Sequence, residues 1–251
     1  SLYTLAQAFE MLSDPVTADI WLTRAEQIQP HNTQVIWRRL SNLTSTGDSA
    51  RYTRIMEEWL ARDPDNVFAK RFEGYLYMGH SDEAFDREDL QAWRTLRQKA
   101  LDTDLSFLRE TGGGELRVEW WISWSVLTAA SSAKVLGDEA LSRKLYLMIV
   151  DYYKAQPDGS VFFEHLQLTI AKAGLGRREE ALGHLSSLAD AGYSEIRMLR
   201  NYDVVEDRFN LYGLKDDVTF QRLIAQVEQR NRDVRGRIHQ YLPHLFEANE
   251  L

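Results

Sequence analysis

The chain has 251 residues, of which 44% are hydrophobic and 27% are charged, a composition typical of a folded globular protein. It contains no cysteine, which excludes a disulfide scaffold, a thiolate metal site, an iron–sulfur cluster and a cysteine nucleophile. Its net charge of -8 argues against binding to nucleic acid through phosphate contacts.

Neither a membrane span nor a signal peptide is predicted. Residues 120–133 form the longest uncharged stretch of the aromatic region, at 14 residues, whereas a spanning helix needs about 20. The first residues show no basic segment followed by an apolar one. Because the chain begins with Ser1 and not with Met, we expect it to be the downstream part of a longer protein, located in either the cytoplasm or the periplasm.

Taken in chain order, the apolar residues recur every three to four positions, which is typical of helices and not of strands. The clearest stripes lie in residues 18–28, 52–60, 141–152, 181–189 and 220–238. No sustained run alternates between apolar and polar residues. The sequence therefore predicts an all-α fold.

The first third of the chain contains an internal repeat. Residues 28–32 are echoed by residues 62–66, and Pro30 and Pro64 lie 34 residues apart. Proline ends a helix because it cannot continue the hydrogen-bond ladder. Within each unit, a Ser-Asp or Gly-Asp pair marks a tight turn, so each unit is predicted to be two antiparallel helices. A weaker third copy has its turn at Ser81.

At these residues the chain resembles the tetratricopeptide repeat family, in which two antiparallel helices cross at small side chains. The matching positions of the first unit are Ala6, Ala18, Leu22, Ala25 and Pro30. Further on, Gly137 and Gly176 lie 39 residues apart at matching turns. The resemblance covers most of residues 1–80 and 117–192. It implies a right-handed superhelix of antiparallel helix pairs, in one or two blocks.

Four segments follow from this assignment. They are N-terminal repeats over 1–80, an irregular helical insert with a glycine-rich junction over 81–116, C-terminal repeats over 117–192, and a degenerate repeat with a capping helix over 193–251. The junction is placed at Gly112–Gly114, because consecutive glycines are costly to order.

The tail carries a second resemblance. Residues 199–203 and 214–223 resemble the segment that closes the repeat region in bacterial multidomain regulators, including winged-helix transcription regulators and adenylate-cyclase-like signalling proteins. This resemblance implies a regulatory or sensing module that works beside a separate effector domain.

No metal, cofactor or catalytic site is predicted. The histidines show no paired ligand spacing on one helix, and Pro243 separates His239 from His244. The acidic cluster at 82–89 lacks the spacing of a calcium loop and is expected at a solvated helix start. Neither Lys-Ser nor Lys-Thr follows Gly112–Gly114, so this run is not predicted to bind phosphate.

Two further groups of side chains stand out. Trp120 and Trp124 share one helix face while Trp121 points elsewhere. We expect these rings in the core; an exposed face would instead form an aromatic platform for a partner. The arginines of residues 222–237 are expected on a solvated face, in contact with neither lipid nor nucleic acid.

Helix-pair arrays bind extended partners along their first helices. By the resemblance, the groove positions are Tyr3, Gln7, Gln34, Trp37, Arg38, Ser41, Arg71 and Tyr75. Aromatic rings and arginines suit a peptide that carries carboxylates. The chaperone-binding subgroup clamps a terminal carboxylate with Lys and Asn, whereas Tyr3 and Gln7 stand at the first pair here. Only Arg38 and Arg71 could act in a similar way.

Three functions remain open at this point. The first is a non-catalytic module that binds a protein or peptide in its groove. The second is a homodimerisation scaffold without a peptide ligand. The third is a helical enzyme with a site near the tryptophan cluster and Glu119.

Overall fold

The computed structural model describes residues 2–11, 14–46, 48–119, 121–155, 161–191, 214, 216–241 and 243. These residues form eleven α-helices and no β-strand, so the all-α fold is confirmed. The helices are α1 (Leu2–Met11), α2 (Pro15–Ile28), α3 (Thr33–Thr46), α4 (Ser49–Arg62), α5 (Val67–Asp86), α6 (Leu90–Thr111), α7 (Ser123–Leu136), α8 (Glu139–Lys154), α9 (Val161–Gly174), α10 (Arg178–Ala191) and α11 (Val218–Tyr241). Each helix from α1 to α10 packs against the next one in sequence, and α11 packs on α10.

The second helix of four successive pairs starts with the same device. In each case an aspartate side chain accepts a hydrogen bond from the backbone amide three residues later, which satisfies one free donor of the first turn. The four caps are Asp14, Asp48, Asp89 and Asp138 for α2, α4, α6 and α8. Turns of this kind place successive helices antiparallel.

The connections after α2 and α4 have the same hydrogen bonds. Asn32 Nδ2 donates to Gln29 Oε1 at 2.7 Å, and Asn66 Nδ2 donates to Asp63 Oδ2 at 2.9 Å. Both asparagine oxygens also cap the helix that follows. The 34-residue spacing seen in the sequence is therefore repeated in the local structure.

Buried side chains form three clusters along the chain. One joins α1 and α2, a second joins α3, α4 and α5, and the largest contains residues from α6 to α11. The centre of the largest cluster is α7, of which ten residues are buried. This helix lies against α6, α8, α9 and α5, which explains why nearly all of it is covered.

Within the irregular helical insert predicted over 81–116, residues 90–111 form one continuous 22-residue helix, α6. Its Leu101, Leu105 and Leu108 belong to the largest core cluster. The buried face of α6 also contains Arg97 and Asp104, which interrupt the apolar stripe and conceal it in the sequence. The glycines that follow form a turn, in which the Gly112 amide donates to the Leu108 carbonyl.

The last helix contacts both the preceding helix and the N-terminal helix pair. At its start, Asp217 pairs with Arg178 at the beginning of α10, with Nε–Oδ2 at 2.9 Å. Near its end, Arg235 Nη2 lies 2.9 Å from Oδ2 of Asp14, the cap of α2. These two positions of α11 are separated by about 27 Å of helix. The fold therefore brings the start of α2 and the start of α10 within reach of the same helix.

Candidate partner-binding surface

Three of the predicted groove residues come together between α1 and α3. The Arg38 guanidinium carbon lies 5.0 Å from the centre of the Trp37 ring and 5.9 Å from that of Tyr3. Arg38 Nη1 also lies 3.4 Å from Glu10 Oε2. The resulting cluster of two aromatic rings around a cation is only partly buried, so it contributes to the surface of both helices.

Glu10 changes the role expected for Arg38. The sequence suggests this arginine as a partner for a ligand carboxylate, but its charge is already balanced by a carboxylate of α1. The arginine therefore bridges α1 and α3 and holds Tyr3 and Trp37 in place. Contacts between a cation and an aromatic ring contribute about 0.5–1 kcal/mol each at such a site.

A cavity opens beside this cluster, at the ends of α1, α2 and α3. Its volume is about 350 Å³, and Gln34 and Tyr3 of the predicted groove line it. The whole lining is Leu2, Tyr3, Ala25, Ile28, Gln29, Asn32, Gln34 and Val35. Apolar walls with amide groups at the rim suit an apolar side chain carried on a peptide backbone. Gln7 and Ser41 lie half-buried on α1 and α3.

The two groove residues predicted on α5 are buried and do not form an open surface. Arg71 is 6% exposed and Tyr75 is 9% exposed. The physical reason is that α5 packs against both α4 and α6, which cover most of its circumference. Tyr75 belongs to the cluster of α3, α4 and α5, and Trp37 packs against the same cluster.

Arg71 is a buried cation that lies against an aromatic ring. Its guanidinium carbon lies 5.3 Å from the centre of the Phe72 ring, and its Nε is buried without a hydrogen-bond partner. No carboxylate of the described residues forms an ion pair with it. Burial lowers the pKa of Arg71, an effect that Tyr75 and Tyr52 oppose.

Two other bases in the described part of the chain, the partly buried Arg39 and the buried Lys172, do have carboxylate partners. Arg39 lies 3.5 Å from Asp19 and also pairs with Glu26. Lys172, at 6% exposure, pairs with Glu180 on the next helix. Arg71 differs from these two bases in having no carboxylate partner among the described residues.

The predicted aromatic platform lies only partly within the described residues, because Trp120 falls outside them. The Trp121 ring meets Phe107 edge to face at 6.2 Å, and its Nε1 donates to Glu119 at 2.8 Å. Trp121 and Trp124 both pack against the largest core cluster and are half-buried. Their contacts are those of side chains at the margin of a core.

One buried carboxyl is not apparent from the sequence. Asp104 on α6 is 1% exposed and accepts a 2.7 Å hydrogen bond from Thr128 Oγ1 on α7. Burial raises the pKa of Asp104 to about 8, an effect that the Thr128 hydrogen bond opposes. A methyl group at Gly74 of α5 would collide with this carboxyl, so α5 and α6 approach closely at this point. Its sequence signal is an acidic residue among the mostly apolar residues of one helix face.

A pair of histidines is likewise not apparent from the sequence. His165 on α9 and His184 on α10 have their Nδ1 atoms 2.9 Å apart, and their ring planes are inclined at 44°. Desolvation, with the nearby His165 and Lys172, lowers the pKa of His184 to about 4. Spacing within one helix cannot reveal such a pair, since the residues are 19 apart on different helices.

No helix among the described residues is long and apolar enough to cross a bilayer. Within the same residues, no three histidine, aspartate or glutamate side chains form a group that could hold a metal ion. Comparison with known proteins finds no matching family model and no curated protein with a similar sequence.

Proposed function

We propose that the chain is a non-catalytic module that binds a peptide along α1 and α3, with an acidic side chain of the peptide directed at Arg71 of α5. The observation that carries the proposal is Arg71, a buried guanidinium with no carboxylate partner among the described residues. Taking a cation out of water costs several kcal/mol unless an anion and hydrogen bonds compensate for it. A carboxylate supplied by a partner would provide both.

The surroundings of Arg71 support the same ligand chemistry. Tyr75 and Phe72 belong to one hydrophobic cluster, and Trp37 packs against that cluster. Aromatic side chains therefore lie close to the Arg71 guanidinium. Arginine with neighbouring aromatic rings is the combination that most often anchors a protein partner. Arg71 is 6% exposed, and the proposal requires that the partner's carboxylate reach the guanidinium through this exposed part.

The cavity at the ends of α1, α2 and α3 would supply a second contact. It offers apolar walls from Ile28 and Val35, and the amide of Gln34 at its rim. An extended peptide could place an apolar side chain there and its acidic group at Arg71. This arrangement is the one implied by the tetratricopeptide resemblance, in which first helices line the binding groove. The regulatory role and the homodimeric scaffold both stay predictions.

A selection experiment tests this function even though the partner is unidentified. A random peptide library displayed on phage is panned against the whole chain, and enriched peptides are synthesised with a fluorescent label. We expect the enriched sequences to share an aspartate or glutamate beside an apolar residue. In fluorescence anisotropy, Arg71→Met should weaken binding at least 10-fold, because truncating one partner of a buried charge pair has a large effect.

The matched control is Arg54→Met, which removes an exposed arginine from α4. It should leave the affinity within two-fold of the parent protein. Enriched peptides without acidic residues, or equal binding by the Arg71→Met variant, would contradict the proposed function.

A further inference from the structure

Asp104 lies where three helices meet. Its carboxyl, on α6, contacts Thr128 of α7, and a methyl group at Gly74 of α5 would collide with its Oδ1. Helices α6 and α7 belong to the largest core cluster, whereas α5 belongs to the cluster of α3 and α4. This carboxyl is therefore part of the joint between the first five helices and the rest of the described chain.

The distances around Thr128 indicate a proton on this carboxyl. Thr128 Oγ1 lies 2.7 Å from Asp104 Oδ2 and 3.1 Å from the Ser125 carbonyl oxygen. The first distance is that of a good O–H···O hydrogen bond, and the second is near the upper limit for one. A hydroxyl has one proton to donate, and a carbonyl oxygen only accepts. Both contacts are hydrogen bonds together when Thr128 donates to Ser125 and a protonated Asp104 donates to Thr128.

The surroundings of Asp104 disfavour its ionised form. The residue is 1% exposed, and its side chain has Thr128 as its one hydrogen-bond partner among the described residues. The facing helix α7 has no ionisable side chain between residues 123 and 133. Once ionised, Asp104 has the Thr128 hydroxyl as its donor, and that hydroxyl then gives up its bond to Ser125.

Few ionisable side chains share the helix faces that meet at this joint. On α5 they are Arg71 and Tyr77, one turn to either side of Gly74, and on α6 it is Arg97, two turns before Asp104. Among the described residues, none of the three forms an ion pair or a hydrogen bond with Asp104. The folded joint therefore offers no cation to balance a negative charge.

We propose that Asp104 and Thr128 form a latch, which holds α5 against α6 and α7 while the Asp104 carboxyl is protonated and releases α5 when the proton leaves. The proton goes to solvent, and the charge left behind is buried with one hydroxyl as its donor. An ion in such a place is unstable until water reaches it, so α5 moves away from α6. The latch acts at the joint after α5 and does not rest on the binding of a peptide.

Infrared spectroscopy of the unmodified chain tests the position of the proton. At pH 6, exposed carboxyls are ionised, so we expect the C=O stretching band of a neutral carboxylic acid to come from Asp104 alone. The band should disappear as the pH rises through about 8, because burial raises the pKa of Asp104 to about 8. Asp104→Asn should remove the band, whereas Asp102→Asn, which changes an exposed carboxyl of α6, should keep it. A parent protein without the band at pH 6 would overturn the proposal.

Hydrogen exchange of the whole chain, corrected for the intrinsic effect of pH on amide exchange, measures the opening of the latch. The carboxyl ionises near pH 4 in the open state and near pH 8 in the closed state, so opening should become about 50-fold more favourable between pH 6 and pH 8. We expect protection of α5 and α6 to fall by this factor, while α8 and α10 keep theirs.

The Asp104→Asn variant gives the matched comparison. Its amide donates to Thr128 at every pH, so the protection of α5 and α6 should no longer depend on pH. The Asp102→Asn variant should behave as the parent protein does. An equal loss of protection in all helices would mean global unfolding and not a latch, and constant protection in the parent protein would likewise contradict the proposal.

Discussion

Replacing Arg71 with methionine should raise the free energy of unfolding while it weakens peptide binding. Methionine has a similar length and no charge, so it fills the same space on α5 without the cost of a buried cation. The guanidinium is 6% exposed and its Nε has no hydrogen-bond partner, so little in the folded chain offsets its desolvation. Its one favourable aromatic contact is with Phe72, at 5.3 Å.

The magnitude follows from these contacts. Loss of the contact with Phe72 costs about 1 kcal/mol, whereas removal of a poorly compensated buried charge gains about 3 kcal/mol. We therefore expect the free energy of unfolding to rise by about 2 kcal/mol. In a chain of this size, that gain corresponds to an increase in Tm of about 6 °C.

Urea unfolding followed by circular dichroism measures the change, with Arg54→Met as the reference for an exposed arginine. The reference variant should differ from the parent protein by less than about 0.5 kcal/mol. A fall in stability of the Arg71→Met variant would refute the reasoning, because it would mean that the folded chain itself stabilises this charge.

Three further predictions concern other buried contacts. The pKa of Asp104 is raised from its ordinary 3.8 to about 8, so the contribution of this carboxyl to stability is complete below about pH 4 and is lost as the pH rises towards 8. Relative to the Asp104→Asn variant, the parent protein should lose about 4 kcal/mol of unfolding free energy between pH 5 and pH 8. Parallel pH profiles of the two proteins would contradict this prediction. Gly74→Ala places a methyl group against the Asp104 carboxyl and should lower the free energy of unfolding in urea by about 2 kcal/mol. Gly79→Ala on the same helix places its methyl group in open space and should raise the free energy of unfolding by about 0.5–1 kcal/mol. Equal effects of the two variants would refute the close approach of α5 and α6 at Gly74. Arg235→Ala removes the ion-pair partner that lies 2.9 Å from the buried Asp14, so amide hydrogen exchange at the start of α2 should become faster. Arg237→Ala, which changes an exposed residue of the same helix, should leave this exchange unchanged. Equal exchange in both variants would contradict a link between α11 and α2.

The sequence is informative where local rules decide the structure. The recurrence of apolar residues at helical spacing predicts α2, α4, α8 and α10, since each buries one face against its neighbours. The pairs Asn32–Gln29 and Asn66–Asp63 lie 34 residues apart and form the same turn, as the repeat indicates. These features depend on contacts between residues close in the chain.

The remaining features depend on contacts that no local pattern encodes. The sequence predicts an irregular helical insert where α6 lies, and Arg97 and Asp104 on the buried face of α6 interrupt its apolar stripe. Only the packing of α5 and α7 around α6 shows that this face is internal. Likewise, the resemblance predicts an exposed Arg71, since it places this residue in a groove but does not include the cover given by α4 and α6.

The histidine pair and the link from α11 to α2 are further examples. His165 and His184 meet only because α9 and α10 pack together. Arg235 and Asp14 are separated by most of the chain, so their ion pair depends on how the helices between them pack. Sequence spacing carries no information on such contacts, which explains why these sites emerge only from the folded chain.

The most direct test of the proposed function is the nuclear magnetic resonance signal of the Arg71 guanidinium during titration with a selected acidic peptide. We predict that the Arg71 Nε–H resonance shifts and saturates with the peptide, and that a peptide with Asn or Gln in place of its acidic residue produces no such shift. A peptide that binds while this resonance stays unchanged would contradict the central claim, since the anion would then be recognised elsewhere.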